Sequence, residues 1–186
     1  MPKQIYHTEV IELCKKNNRK AQLKLYNQYC DGMYNVAYRF MKNSQDAEDV
    51  MQEAFIKAFR KIDSFKGEVT FGAWLKKIVV HQSIDTLKSK KLDFLDVDEN
   101  YLKIVVDDDN WEISDGISAE EVKLAISQLP QKYELVLSLF LIEGYDHQKI
   151  SQILNITQVN SRTQLLRGKQ KLKESLKLVG NDGTGY

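Results

Sequence analysis

The chain has 186 residues, 42% hydrophobic and 28% charged, enough for one full domain or two small ones with a buried core. That composition excludes wholesale disorder, collagen-like chains and low-complexity chains, and only 2 Pro and 9 Gly point to a mostly helical protein. The formal charge of +1, from 27 Lys and Arg against 26 Asp and Glu, taken whole hints at no nucleic-acid or membrane partner.

In chain order, residues 9–17 and 20–41 read as helices, the second carrying Leu23, Leu25, Tyr26, Tyr29, Tyr34, Val36 and Tyr38. Ser44 and Asp46 are expected to cap a helix that runs to Lys61. Ala47, Met51, Ala54, Phe55, Ala58 and Ile62 fall on one stripe of it, which predicts a core face. Asp49, Gln52, Glu53 and Ile56 align elsewhere on the same helix at i, i+3, i+4 and i+7. An Ile framed by carboxylates on a solvent face is either a partner-docking patch or a single exposed apolar residue of no consequence.

A loop, residues 63–68, leads to a helix expected from Thr70 to Lys90. Its Trp74, His81, Asp85 and Lys88 lie on one stripe, followed by Lys90 and Lys91. Trp74 alone reads as core. A stripe ending in His, Asp and Lys suits a phosphate- or base-contacting edge. The alternative is a His–Asp pair that only stabilises the helix.

Residues 92–121 then carry 1 basic and 11 acidic side chains, including Asp107-Asp108-Asp109, with weak periodicity. This reads as a flexible acidic linker, either a solvated loop or a segment that masks a basic lobe. The flanks are basic. Residues 1–91 are net +7 and residues 122–186 net +4, so the neutral total is a cancellation.

In the second lobe, Ser118-Ala119-Glu120-Glu121 matches a capping box opening a helix to Leu129. Pro130 starts a second helix through Glu143, ended by Gly144. A short helix over 146–154 follows, then Asn155, which tolerates the left-handed conformation of a tight turn. Thr157 caps a last helix to about Lys177. A short helix, an Asn-centred turn and a longer basic helix have the layout of a helix-turn-helix. Along the last helix Leu165, Leu172 and Leu176 form the apolar stripe. Asn160, Thr163, Arg167 and Lys171 lie roughly opposite, with Arg162 and Lys169 on the flank. Such a face reads as either a solvated basic helix or a base-reading one, since Asn can read adenine and Arg guanine.

The fold class expected is therefore all-α: two small helical domains joined by the acidic linker, the C-terminal one a helix-turn-helix. Cys14 and Cys30 are the only cysteines, without metal-ligand spacing, and no zinc or other metal site is expected. His7, His81 and His147 are far apart, and no phosphate loop or nucleophile motif is present, so no catalytic residue, enzyme activity or cofactor is expected. No stretch approaches the ~20 apolar residues of a bilayer span, and the first residues lack a signal-peptide core, so a cytoplasmic setting is the expectation.

Over about residues 8–178 the chain resembles the extracytoplasmic-function (ECF) sigma factors, promoter-specificity subunits of bacterial RNA polymerase. In the first lobe the resemblance rests on Asp46-Ala47-Glu48-Asp49-Val50-Met51-Gln52-Glu53-Ala54-Phe55, on Phe71-Gly72-Ala73-Trp74-Leu75 with Ile78, and on Asp85 with Leu87-Lys88. In the second it rests on Leu129-Pro130-Gln131-Lys132-Tyr133, Glu143-Gly144-Tyr145-Asp146-His147, Lys149-Ile150, and residues 160–167. Two such motif sets in the right order, split by a variable linker, are strongly specific.

The resemblance implies a first domain, 1–91, that docks on a coiled coil of the polymerase largest subunit through Asp49, Gln52, Glu53 and Ile56. The same domain is implied to bind and melt the minus-ten promoter element through Phe65, Lys66, Gly67, Trp74, His81, Asp85, Lys88 and Lys91. A linker, 92–117, is followed by a domain, 118–178, that reads the minus-thirty-five element through Asn160, Arg162, Thr163, Leu166, Arg167 and Lys171, with 179–186 a flexible tail. Stretched at ~3.3 Å per residue, that linker spans about 85 Å, more than the ~70 Å of two DNA turns. The partners implied are RNA polymerase core, promoter DNA and an anti-sigma factor, with no direct membrane insertion. The chain departs from the family's usual residues at His81, Lys88, Asn155, Asn160 and Ser161, which leaves the preferred promoter sequence open. Against the sigma reading stand an autonomous helix-turn-helix regulator and a helical adaptor that never touches DNA.

Overall fold

The computed structural model of the chain describes residues 3–90 and 117–181, all of whose regular elements are helical. The chain divides into two compact units, 1–92 and 93–186. Lys91 and the acidic segment up to residue 116 lie outside the described residues, as do residues 182–186.

The first unit holds α1 (Lys3–Lys15), α2 (Arg19–Met41), α3 (Ser44–Arg60), a 3-10 turn at Ile62–Ser64, and α4 (Phe71–Ser89). Side-chain capping sets the boundaries. Asn17 takes φ 57° and ends α1, with the Asn18 N–H donating to the Leu13 carbonyl at 3.1 Å and the Asn17 N–H to that of Cys14 at 2.9 Å. Asn18 then turns its carboxamide oxygen to the Ala21 N–H at 3.1 Å and starts α2. The cap of α3 is Asn43, whose Oδ1 accepts from the Asp46 N–H at 3.0 Å. Ser44 and Asp46, expected as caps, are the first-turn residues that this cap serves. Thr70 caps α4 through the Ala73 N–H at 3.2 Å.

Helices α2, α3 and α4 pack on one another around Leu25, Val50, Phe55, Leu75, Val79 and Ile84. Each large side chain taken from water contributes about 1.5–3 kcal/mol. The stripe from Ala47 to Ile62 is buried at all six expected positions. Beside this core, Tyr29 of α2 packs on Phe71 at 5.4 Å, and Phe65, Phe71 and Trp74 pack pairwise at 5.4–5.7 Å between ring centroids. Gly72 leaves room for Tyr29: a Cβ there would stand 2.9 Å from Tyr29 Cε1.

The second unit holds α5 (Ala119–Ser127), α6 (Gln131–Leu137), α7 (His147–Leu154) and α8 (Gln158–Asn181) around Ile126, Leu137, Leu139, Ile150, Leu165 and Leu172. The capping box is present: the Glu121 N–H donates to Ser118 Oγ, and the Ser118 N–H to Glu121 Oε2 at 2.7 Å. The Ser118 N–H and the Ser118 hydroxyl, which donates to the same oxygen at 2.8 Å, lower the Glu121 carboxyl pKa below its ordinary value.

The helix expected from Pro130 to Glu143 changes character midway. After Leu137 it widens into a π-turn, Ser138–Ile142, the Glu143 N–H reaching the Ser138 carbonyl at 3.0 Å. Gly144, at φ 71°, ends it. Gly168 in α8 lies flush on α6, since a Cβ there would meet Leu137 at 3.0 Å and Tyr133 at 3.3 Å. The helix-weakening residue lies where α8 packs against α6. Helix α8 runs to Asn181, past the end expected at about Lys177.

Candidate nucleic-acid interface

On α3, Asp49, Gln52 and Glu53 are exposed around Ile56, which keeps 51% of its surface in solvent. The four share a face, as the spacing predicts. Gln52 Nε2 donates to Glu48 Oε1 at 3.1 Å, along the helix. Glu53 reaches instead across to α4, where its carboxylate accepts from the Gln82 carboxamide, whose oxygen accepts from Lys57 Nζ. Gln82 is buried, so an uncharged amide joins an acid and a base of α3 to α4. The sequence reading missed Gln82, although Leu75, Val79 and Gln82 share the spacing of a buried stripe.

In the loop and α4, Lys66, Gly67, His81 and Asp85 are exposed, Lys88 and Trp74 half-buried. Gly67 takes φ 77°, a turn conformation open to glycine. Expected in the DNA-contacting set, Phe65 is 8% exposed and packed between Phe71 and Trp74. An aromatic ring in a polar loop gains more from the adjacent apolar cluster than from water, which loop position alone does not disclose. Lys90, read as part of a DNA-facing edge, pairs with Asp46 of α3 at 2.7 Å. Lys91 lies outside the described residues.

In the second unit Asp146 caps α7 through the Lys149 N–H at 2.7 Å. Asn155 adopts φ 56°, ψ 47° and ends α7, the Ile156 N–H closing on the Ser151 carbonyl at 3.1 Å. Thr157 Oγ1 accepts from the Asn160 N–H at 3.0 Å, so α8 begins at once. The result is the short helix, three-residue turn and long helix of a helix-turn-helix.

The face of α8 is narrower in polar groups than its composition suggests. Arg162 and Lys171 are exposed; Asn160, Thr163, Leu166 and Arg167 are half-buried. Asn160 Oδ1 accepts from the buried Gln164 at 2.9 Å, and Thr163 Oγ1 donates to the Val159 carbonyl at 3.0 Å. Lys171 Nζ sits 5.9 Å above the Tyr133 ring. Lys169, placed on the solvent flank by periodicity, is 8% exposed, with Nζ 5.7 Å from the Phe140 ring centre. The other side of the same site was not expected either: His147 stacks on Phe140 at 5.1 Å and its Nδ1 lies 2.9 Å from Ser161 Oγ.

No cluster of metal-ligating side chains occurs among the described residues, and none of their helices is long and apolar enough to cross a membrane.

Comparison with known proteins places relatives at both units. Residues 25–92 match the family model for Sigma-70 region 2, and residues 119–172 that for Sigma-70 region 4. The chain is 34% identical over 179 residues to the ECF RNA polymerase sigma factor SigW of Bacillus subtilis, covering 90% of this chain and 95% of that one. It is 27% identical over 183 residues to the ECF RNA polymerase sigma-E factor of Escherichia coli, covering 92% and 95%. Among solved structures it is similar to the sigma factor RpoE of Bartonella quintana, crystallised with the anti-sigma factor NepR, with 19% identity, coverage of 83% and 95%, and a TM-score of 0.49.

Proposed function

We propose a division of labour between the two units on the premise that this chain belongs to the extracytoplasmic-function sigma factors. Such a protein binds RNA polymerase core and directs promoter recognition, DNA melting and transcription initiation; it is an initiation factor and not an enzyme. Membership sets aside the autonomous regulator and the adaptor that avoids DNA.

Residues 1–91 form the domain that docks on the core and opens the minus-ten element. The observation that carries this is the exposed Ile56 framed by Asp49, Gln52 and Glu53, an apolar contact ringed by charge and suited to a basic-flanked helical partner. The melting edge comprises Lys66, Gly67, Trp74, His81, Asp85 and Lys88, with Lys91 beyond the described residues. Holding unpaired bases there offsets the cost of unstacking them. Phe65 supports this edge from within, as the packing partner of Trp74.

Residues 118–178 read the minus-thirty-five element through α8, with Arg162 and Arg167 the guanine-reading candidates and Asn160, Thr163, Leu166 and Lys171 beside them. Residues 92–117 tether the two, and 179–186 follow. An anti-sigma factor belongs among the partners on family grounds. A sigma factor works where the polymerase is, which puts this one in the cytoplasm.

The deciding experiment is transcription in vitro with purified polymerase core and a promoter library. Promoter-dependent initiation is expected, lost on Asp49→Arg because the core no longer binds. Full core affinity in Asp49→Arg overturns the docking assignment.

A further inference from the structure

At about 100° per residue, the buried positions of α8, Ser161, Gln164, Leu165, Gly168, Lys169, Leu172 and Leu176, centre on one direction. The line diametrically opposite runs by Thr163 and Gln170, with Val159 close beside it. Arg167 lies about as far to one side of that line as Val159 does to the other, and Asn160 further off. Val159 heads that face. It is the second residue of α8 and keeps 54% of its surface in solvent. In a helix-turn-helix the N-terminal residues of the second helix are those that reach base edges.

The neighbours of Val159 sharpen what it meets. The Asn160 oxygen is occupied by Gln164, and the Thr163 hydroxyl proton by the Val159 carbonyl, so both polar groups have work inside the helix. Arg162, one turn on and exposed, supplies a guanidinium on the same side. The tip of the helix therefore presents an isopropyl group beside a cation. In the major groove only thymine offers an apolar group, its C5 methyl, while guanine offers the paired acceptors that Arg reads.

We propose that Val159 is a specificity-determining residue that reads a thymine by its C5 methyl, next to a guanine read by Arg162. This rests on the reading of α8 as the recognition helix. The contact removes an exposed methyl pair and a base methyl from water together, and it is lost with either one.

The test uses holoenzyme reconstituted from polymerase core and the full chain. Upstream duplexes of randomised sequence are selected by binding, and each thymine of the winning element is then replaced by deoxyuridine, which removes the methyl and keeps the base pair. One such replacement is expected to weaken wild-type binding roughly fourfold, the worth of one buried methyl. The same replacement is expected to leave the Val159→Ala chain unaffected. An element without thymine, indifference of the wild type to every deoxyuridine, or an equal loss in Val159→Ala overturns the proposal and leaves the sigma assignment standing. Failure to enrich any upstream sequence takes the recognition-helix reading down with it.

Discussion

His147 and Ser161 join the two helices of the helix-turn-helix: the ring Nδ1 of one lies 2.9 Å from the hydroxyl of the other, and Ser161 is wholly buried. The bond ties the first residue of α7 to the first turn of α8. Ser161→Ala leaves the imidazole without this partner and is expected to cost about 1 kcal/mol, the usual worth of such a bond. His147→Ala also removes the stack on Phe140 and is expected to cost more. Amide hydrogen exchange of α8 in the full chain reads both; unchanged protection in Ser161→Ala contradicts the role.

Gln82 carries a bond to an acid and one to a base from a buried position. Gln82→Leu keeps the volume and removes both bonds. Bonds to charged groups contribute about 1.5–3 kcal/mol each, and their exposed partners recover part of that from water. A net loss of about 1–2 kcal/mol is expected, together with weaker core binding as Glu53 is released. Chemical denaturation and core-affinity measurements check the two effects separately.

Phe65 separates packing from DNA contact. Phe65→Ala is expected to destabilise the first unit by about 3–5 kcal/mol, as large-to-small core changes do. A DNA-contacting Phe would instead lose promoter melting while its unfolding temperature stayed at the wild-type value. Calorimetry beside an open-complex assay distinguishes them.

Cys14 is fully buried, and burial pushes its thiol up from an ordinary value of 9.0 to about 11. The unfolded chain thus loses this proton first as pH rises. The stability Cys14 confers is whole below pH 9 and falls between pH 9 and pH 11, by an amount on the order of 2 kcal/mol. Comparing the pH dependence of unfolding for the wild type and Cys14→Ala isolates it: the alanine chain is expected to show a shallower decline across that window. At neutral pH a thiol-alkylating reagent is expected to modify half-buried Cys30 well before Cys14.

Helices and caps were legible because they are local. Ser118 and Thr157, read as caps, each bond a backbone N–H three residues on, and the apolar stripe of α3 needs only its period. The left-handed Asn155 turn was legible for the same reason. What escaped depends on partners distant in sequence. Phe65 is buried because Phe71 and Trp74 come back over it, and Lys169 lies with its Nζ over the ring of Phe140, which the π-turn carries. Asn43 was passed over for Ser44 because both residues are good caps and only backbone conformation chooses between them. The Leu165–Leu172–Leu176 stripe of α8 was legible, but the buried Ser161, Gln164, Gly168 and Lys169 beside it were not, because small, polar and charged side chains carry no apolar signal.

A carboxamide at the joint between α3 and α4 has one more consequence. Gln82 has no proton to gain or lose, so the link from α3 to α4 passes through a group that acidification cannot switch off directly. An aspartate or glutamate in its place would be repelled by Glu53, and a lysine by Lys57. Glutamine satisfies both neighbours at once, one end of its amide donating and the other accepting. The bridge between these helices therefore keeps an uncharged centre between its acidic and its basic end.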